Sequence, residues 1–187
     1  MGVGFAVEDG VASIGQVGVR LEGGDGGISG WKLAGVGSTD IDGLPTDKAG
    51  GALVADEATQ ASREHPNGAL HVDHLVVFTP QLGRTIRALE DAGIELRRVR
   101  EPDEPGPPVR QGFFRLGEVI LEVVENPQAE GPARFWGITL AVADIDRCAE
   151  LMGEKLGEVH DAVQPGRRIA TVRREAGLGV PVALITT

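Results

Sequence analysis

Two stretches show the clearest alternation of apolar and polar positions. Both His71-Val72-Asp73-His74-Leu75-Val76-Val77-Phe78 and Val119-Ile120-Leu121-Glu122-Val123-Val124-Glu125 read as β-strands. Successive strand side chains point to opposite faces. His74 therefore shares a face with Val72, Val76 and Phe78, while Leu75 and Val77 point the other way; Glu122 shares its face with Ile120 and Val124. An ionisable group on an apolar strand face has to be paired, bound to something, or set beside water.

The pattern between and beyond these strands predicts a repeated order. Thr79 suits a helix N-cap and Pro80 the first helical position; Leu82, Ile86 and Leu89 then recur at helical spacing until Ala92-Gly93. Residues 94–99 read as a strand. Residues 101–108 form a loop, because their prolines deny a ladder its donors, and 112–116 pairs with 119–125 in a hairpin around Gly117. After Asn126-Pro127 the same strand-helix-strand-strand-strand order returns: strand 136–142, helix 144–156 with Ile145, Cys148, Met152 and Leu156 on one stripe, an element after Gly157, a turn at Pro165-Gly166, and strands 168–174 and 180–185. The hairpin segment 116–123 aligns with 178–185 and with 14–21, which predicts three copies of the hairpin. Ahead of the repeat, 5–7, 11–14, 17–21 and 28–36 read as short strands, and 38–67 as a surface connection in which 52–61 can make a helical turn or two. The domain organisation predicted is an N-terminal strand-rich segment and connection over 1–68, one module over 69–127 and another over 133–187.

Composition narrows the partners. The 187 residues carry 28 Gly and a net charge of −10, which speaks for many turns and against nucleic-acid binding. The single Cys148 forms no internal disulfide, no apolar run approaches the roughly 20 residues of a membrane span, and the first residues lack a signal-peptide pattern. The expectation is a cytoplasmic protein with a small-molecule ligand.

The repeated order, with Val72-Asp73-His74-Leu75-Val76-Val77 and Ile120-Leu121-Glu122-Val123-Val124-Glu125-Asn126, resembles the vicinal oxygen chelate superfamily, which includes glyoxalase I, extradiol dioxygenases and bleomycin-resistance proteins. The likeness covers about residues 69–187, with a weaker echo in 5–23. It implies an α+β fold in which two βαβββ modules pair, within one chain or across a homodimer, into an open barrel-like cleft, with the N-terminal segment as an incomplete third module. It also implies one divalent metal ion held by residues on the first and last strands of each module, and those positions fall on His74 and Glu122. In the second module they fall on Ile138 and Leu184, which cannot ligate, and Arg20 stands at the Glu122 position of the N-terminal copy. A catalytic zinc normally takes three protein ligands and a non-haem iron two His and a carboxylate, so this set is incomplete unless another donor, such as His160, is added.

Three roles stay open for His74: metal ligand, substrate contact or general base, and hydrogen-bonded core histidine. Glu122 has the same choices, with an ion pair to Arg20, Arg110 or Arg115 as the structural one. Without metal, the two can form a dyad in which the carboxylate raises the histidine pKa. Ligand contacts are expected from Arg110 and Gln111 ahead of the hairpin, and from Gln164, Arg167 and Arg168, where arginines crowd an edge that suits an anionic ligand; pairing of these arginines with neighbouring acids is the alternative. His65, His71 and Glu125 are expected at the surface, and Trp31, Trp136, Phe113, Phe114 and Phe135 in the core. The functions compatible with this are a small-molecule-binding protein with an incomplete metal site, a metal-dependent lyase, isomerase or dioxygenase using His74 and Glu122, and a ligand-sequestering resistance-type protein.

Overall fold

The computed structural model describes residues 3–49, 64–103 and 108–187. In chain order the strands are β1 (Val11–Ile14), β2 (Val17–Arg20), β3 (Trp31–Leu33), β4 (Asp40–Ile41), β5 (Leu44–Lys48) and β6 (Ala69–Thr79), followed by helix α1 (Leu82–Asp91). Next come β7 (Leu96–Arg100), β8 (Gln111–Leu116), β9 (Val119–Glu125) and β10 (Arg134–Val142), then α2 (Ile145–Met152), β11 (His160–Asp161), β12 (Arg168–Thr171) and β13 (Val182–Thr186). The described residues divide into two compact units, one of 28–49, 74–103 and 108–137, the other of 3–27, 64–73 and 138–187. Among them no helix is long and apolar enough to cross a membrane.

In the unit that contains α1, β9 lies parallel to β6, with His74 opposite Ile120 and Val76 opposite Glu122. β8 pairs antiparallel with β9, Phe113 opposite Glu122, and β7 pairs with β8. The parallel neighbours require a crossover, which α1 supplies. Val77, Phe114, Leu121 and Val123 form one core cluster with Leu82 and Leu89 of α1 and with Ile41, Leu44 and Ala133. Because side chains alternate, His74, Val76, Glu122 and Val124 project from the other face of this sheet.

The start of α1 differs from the prediction. Its N-cap is Gln81, whose side chain makes no cap bond; the Leu82 amide instead donates to Glu125 Oε1 at 2.8 Å. Thr79 is buried and accepts from the Gln81 amide and the Thr85 hydroxyl. A carboxylate from β9 therefore does the capping, and Glu125 is not simply a surface residue. The helix end agrees with the prediction, Gly93 taking φ 90° beyond the Ala92 cap. The expected connection after Ser38 holds a hairpin: Ile41 and Leu44 face each other across Asp42-Gly43, with φ of 49° and 79°. An Asp-Gly pair with both φ positive is a tight hairpin turn, and its flanking apolar residues, although few, are both buried in the core. The strand expected over 28–36 shortens to β3. Residues 52–61, expected to make a helical turn or two, lie outside the described residues, as do 104–107 of the proline-rich loop.

The unit that contains α2 repeats the topology. β10 lies parallel to β13, with Ile138 opposite Val182 and Leu140 opposite Leu184; β12 pairs antiparallel with β13 and β11 with β12. Asp144 caps α2 by accepting from the Asp146 and Arg147 amides at 3.0 Å each, and Ile145, Cys148, Met152 and Leu156 are all buried as the stripe predicts. The α-helix stops at Met152, because Gly153 takes φ 53°, and a 3-10 turn (Gly153–Lys155) follows.

Two of the three predicted hairpins share one turn. Ile14 pairs with Val17 around Gly15 (φ 60°) as Leu116 pairs with Val119 around Gly117 (φ 62°). In the third, β12 and β13 are joined by the longer segment 172–181, which contains a 3-10 turn (Arg174–Ala176). Gly179 serves backbone approach there: its carbonyl accepts from the Gly27 amide at 2.7 Å, and a Cβ on Gly26 would lie 2.4 Å from that oxygen. Residues 5–7 form no strand. Phe5 instead packs edge-on to His65, which is buried rather than exposed: Nδ1 accepts from the Ala6 amide at 3.0 Å and Nε2 lies 2.9 Å from the Ser13 carbonyl.

Candidate functional site

The site is a chain of polar groups running across β7, β8, β9 and β6 on the sheet face opposite α1. Arg100 at the end of β7 lies opposite Gln111 at the start of β8, and both are buried. Arg100 Nε donates to Gln111 Oε1 at 2.5 Å, and Nη2 donates to the Val109 carbonyl at 3.1 Å. With its oxygen engaged, the Gln111 amide turns its NH₂ to Glu122, donating to Oε1. The other carboxylate oxygen, Oε2, lies 3.7 Å from His74 Nε2, and the two side chains are only 15% and 17% exposed.

Burial pushes the Glu122 carboxyl above its ordinary range, with the charges of His74 and Arg100 pulling it back down. A carboxylate so placed holds a proton more readily than one in water, while its two oxygens are fixed by different partners. Proton transfer is the chemistry such a group performs well.

Beside this chain the same face is apolar. Val124 lies opposite Phe78, and with Val109, Glu125, Asn126, Pro127 and Gln128 these residues line an open hollow of about 440 Å³. Trp136 packs on Phe78 with ring centroids 5.3 Å apart and planes at 37°, yet stays 45% exposed, where the sequence suggested core.

Of the residues singled out from sequence, the structure brings together His74, Glu122 and Gln111. Arg110 pairs with Glu101 at 3.1 Å and Glu125 at 3.6 Å. Arg167 donates to Asp73 at 2.7 Å and to the Thr186 carbonyl at 2.5 Å, and Arg168 makes a two-pronged contact with Asp146 at 2.7 and 2.9 Å. Gln164 is exposed in the turn before them. His160 is exposed, its Nδ1 3.0 Å from the Asp161 carbonyl. Sequence reading missed Arg100 and the Phe78–Trp136 pair. Their only sequence signal is register: Arg100 falls opposite Gln111 once β7 and β8 are paired.

The divalent ion implied by the family resemblance does not fit these residues. His74 and Glu122 offer two donors, but the next neighbour of Glu122 presents amide hydrogens, and behind it stands a guanidinium. Among the described residues no three His, Cys, Asp or Glu side chains gather into a ligand set. The strand registers also place Ile138 at the position of His74 and Leu184 at that of Glu122, and Leu184 is fully buried.

No protein-family profile and no curated protein matches the chain. Solved structures do. Methylmalonyl-CoA epimerase from Mycobacterium tuberculosis is 17% identical with a TM-score of 0.51, over 64% of this chain and 89% of that one. A hypothetical protein from Bacillus halodurans is 18% identical with a TM-score of 0.50, over 62% and 93%. A selenomethionine form of methylmalonyl-CoA epimerase is 18% identical with a TM-score of 0.51, over 63% and 95%. At such identities the likeness speaks for the fold; joined to the βαβββ topology of both modules, it establishes that the chain has the vicinal oxygen chelate fold.

Proposed function

We propose that the chain is a small-molecule-binding protein that handles a proton on its ligand through the His74–Glu122 pair, without a tightly held metal. The observation that carries this reading is a carboxylate with raised pKa, fixed by Gln111 on one oxygen and facing His74 with the other. Glu122 takes a proton from a carbon next to a carbonyl; the C–H bond breaks, its electron pair moves into the carbonyl to give an enolate, and a His74 ring N–H stabilises the added charge. With the enolate turned over in the site, return of the proton to its other face completes an epimerisation, the reaction named for two of the similar structures, whereas return to the same face gives proton exchange alone. A metal-dependent route is the poorer reading, because Gln111 and Arg100 fill the space around Glu122 with donors rather than acceptors.

Two measurements test this. Protein purified with neither chelator nor added metal is expected to hold well below one divalent ion per chain, and one tightly held ion overturns the metal-free reading. In heavy water the protein is expected to speed deuterium uptake at the methyl carbon of acetophenone, and Glu122→Gln to lower that rate by about 10²-fold or more. Undiminished uptake in the variant removes Glu122 from the proton path, and saturable binding without uptake replaces turnover with ligand sequestration.

A further inference from the structure

The face that carries Glu122 runs on along β9 to Val124, two residues and roughly 7 Å further. There Val124 and Phe78, paired across the strands, form the floor of the hollow beside the polar chain. Its volume of about 440 Å³ falls within the range of small-ligand pockets. Among its lining residues the one charged side chain is a carboxylate, Glu125, which is engaged by Arg110 and by the Leu82 amide. A carboxylate on the ligand would meet like charge here. Phe78 is backed by Trp136, and the pair presents aromatic surface that is partly open: Phe78 is half-buried and the tryptophan, at 45% exposure, forgoes much of the burial such a side chain normally gains.

We propose that this hollow is a subsite for an uncharged aromatic ring, making aryl carbonyl compounds the substrate class of the site. The ring packs against Phe78 and Val124, and its carbonyl-bearing substituent extends along β9 toward Glu122 and His74. The second half of this statement rests on the proton-transfer reading; the ring subsite stands without it.

The chain has two tryptophans, and the Trp31 indole N–H donates to Thr46 Oγ1 at 2.6 Å, so the two indole signals in a proton–nitrogen correlation spectrum report on different places. Trp136→Phe assigns them. Titration of the intact protein with acetophenone is expected to shift the Trp136 signal saturably and leave Trp31 in place. Phe78→Leu, which keeps an apolar side chain but removes the ring, is expected to weaken binding about tenfold, and acetone and benzoate to bind at least about tenfold more weakly than acetophenone. Glu122→Gln is expected to keep acetophenone binding within about twofold while losing deuterium uptake, which separates the subsite from the chemistry. The subsite is overturned if acetone or benzoate matches acetophenone, if Phe78→Leu binds as tightly as the parent, or if the Trp136 shift does not saturate.

Discussion

At the scale of single residues, Glu122 is defined by what its neighbours donate. Arg100 fixes the Gln111 amide, Gln111 fixes one carboxylate oxygen, and His74 faces the other. Burial raises the carboxyl pKa, so the folded chain binds this proton more tightly than the unfolded chain does. The stability contributed by this group is therefore fully present below the ordinary glutamate value of 4.5 and is lost as pH rises through the raised folded value. Glu122→Gln cannot ionise and escapes that loss. Its denaturation midpoint minus that of the parent is expected to grow more positive from about pH 4 to about pH 8, and a difference that is flat or shrinks with pH contradicts the account. His74 and Glu122 were legible in the sequence because each breaks an apolar alternation. Arg100 was not, since a guanidinium at the end of an Arg-rich strand looks like any solvated charge until β8 is laid beside it.

At the scale of elements, the two helices begin alike but are capped differently. Asp144 caps α2 from its own chain segment, an arrangement that local sequence reveals. α1 takes its cap from Glu125, 43 residues away. Glu125→Ala is expected to cost about 1 kcal/mol through the lost cap, leaving Arg110 paired with Glu101 alone, and Asp144→Ala about as much. The comparison is made by chemical denaturation; a neutral Glu125→Ala would show that the carboxylate does not hold the helix start. The same contrast explains the hairpins. Gly15 and Gly117 sit in two-residue turns that sequence identifies by their glycine, whereas Gly179 has the same sequence neighbourhood but is used where two backbones meet. The arginines of the last strands follow suit: sequence offered them to an anionic ligand, while Asp73 and Asp146, remote in the chain, pair with Arg167 and Arg168.

At the scale of the whole molecule, two modules share one topology and differ in what one face carries. Adjacent residues Leu184 and Ile185 on β13, and Leu140 and Ala141 on β10, are all buried, so both faces of that strand pair are covered. The equivalent β6–β9 pair keeps His74, Glu122 and Val124 partly open on the face opposite α1. Leu184→Glu, which would place a carboxylate at the second module's counterpart of Glu122, is therefore expected to destabilise the protein by roughly 4 kcal/mol or more, since it places a charge in a packed apolar setting. A denaturation midpoint like that of the parent would show that the second module has an open face after all.

By itself the sequence determined the order of strands and helices from residue 69 onward, the repeat, the α2 stripe and the apolar residues that the second module carries at the positions of His74 and Glu122, because periodicity, caps and turn glycines act over a few neighbouring residues. Only the tertiary structure decided which way Gln111 turns its amide, which acid starts α1, which arginines are neutralised and that His65 is a buried tie. Each of those rests on a hydrogen bond or ion pair between residues far apart in the chain, and strand register, which brings such residues together, is set by how whole faces pack.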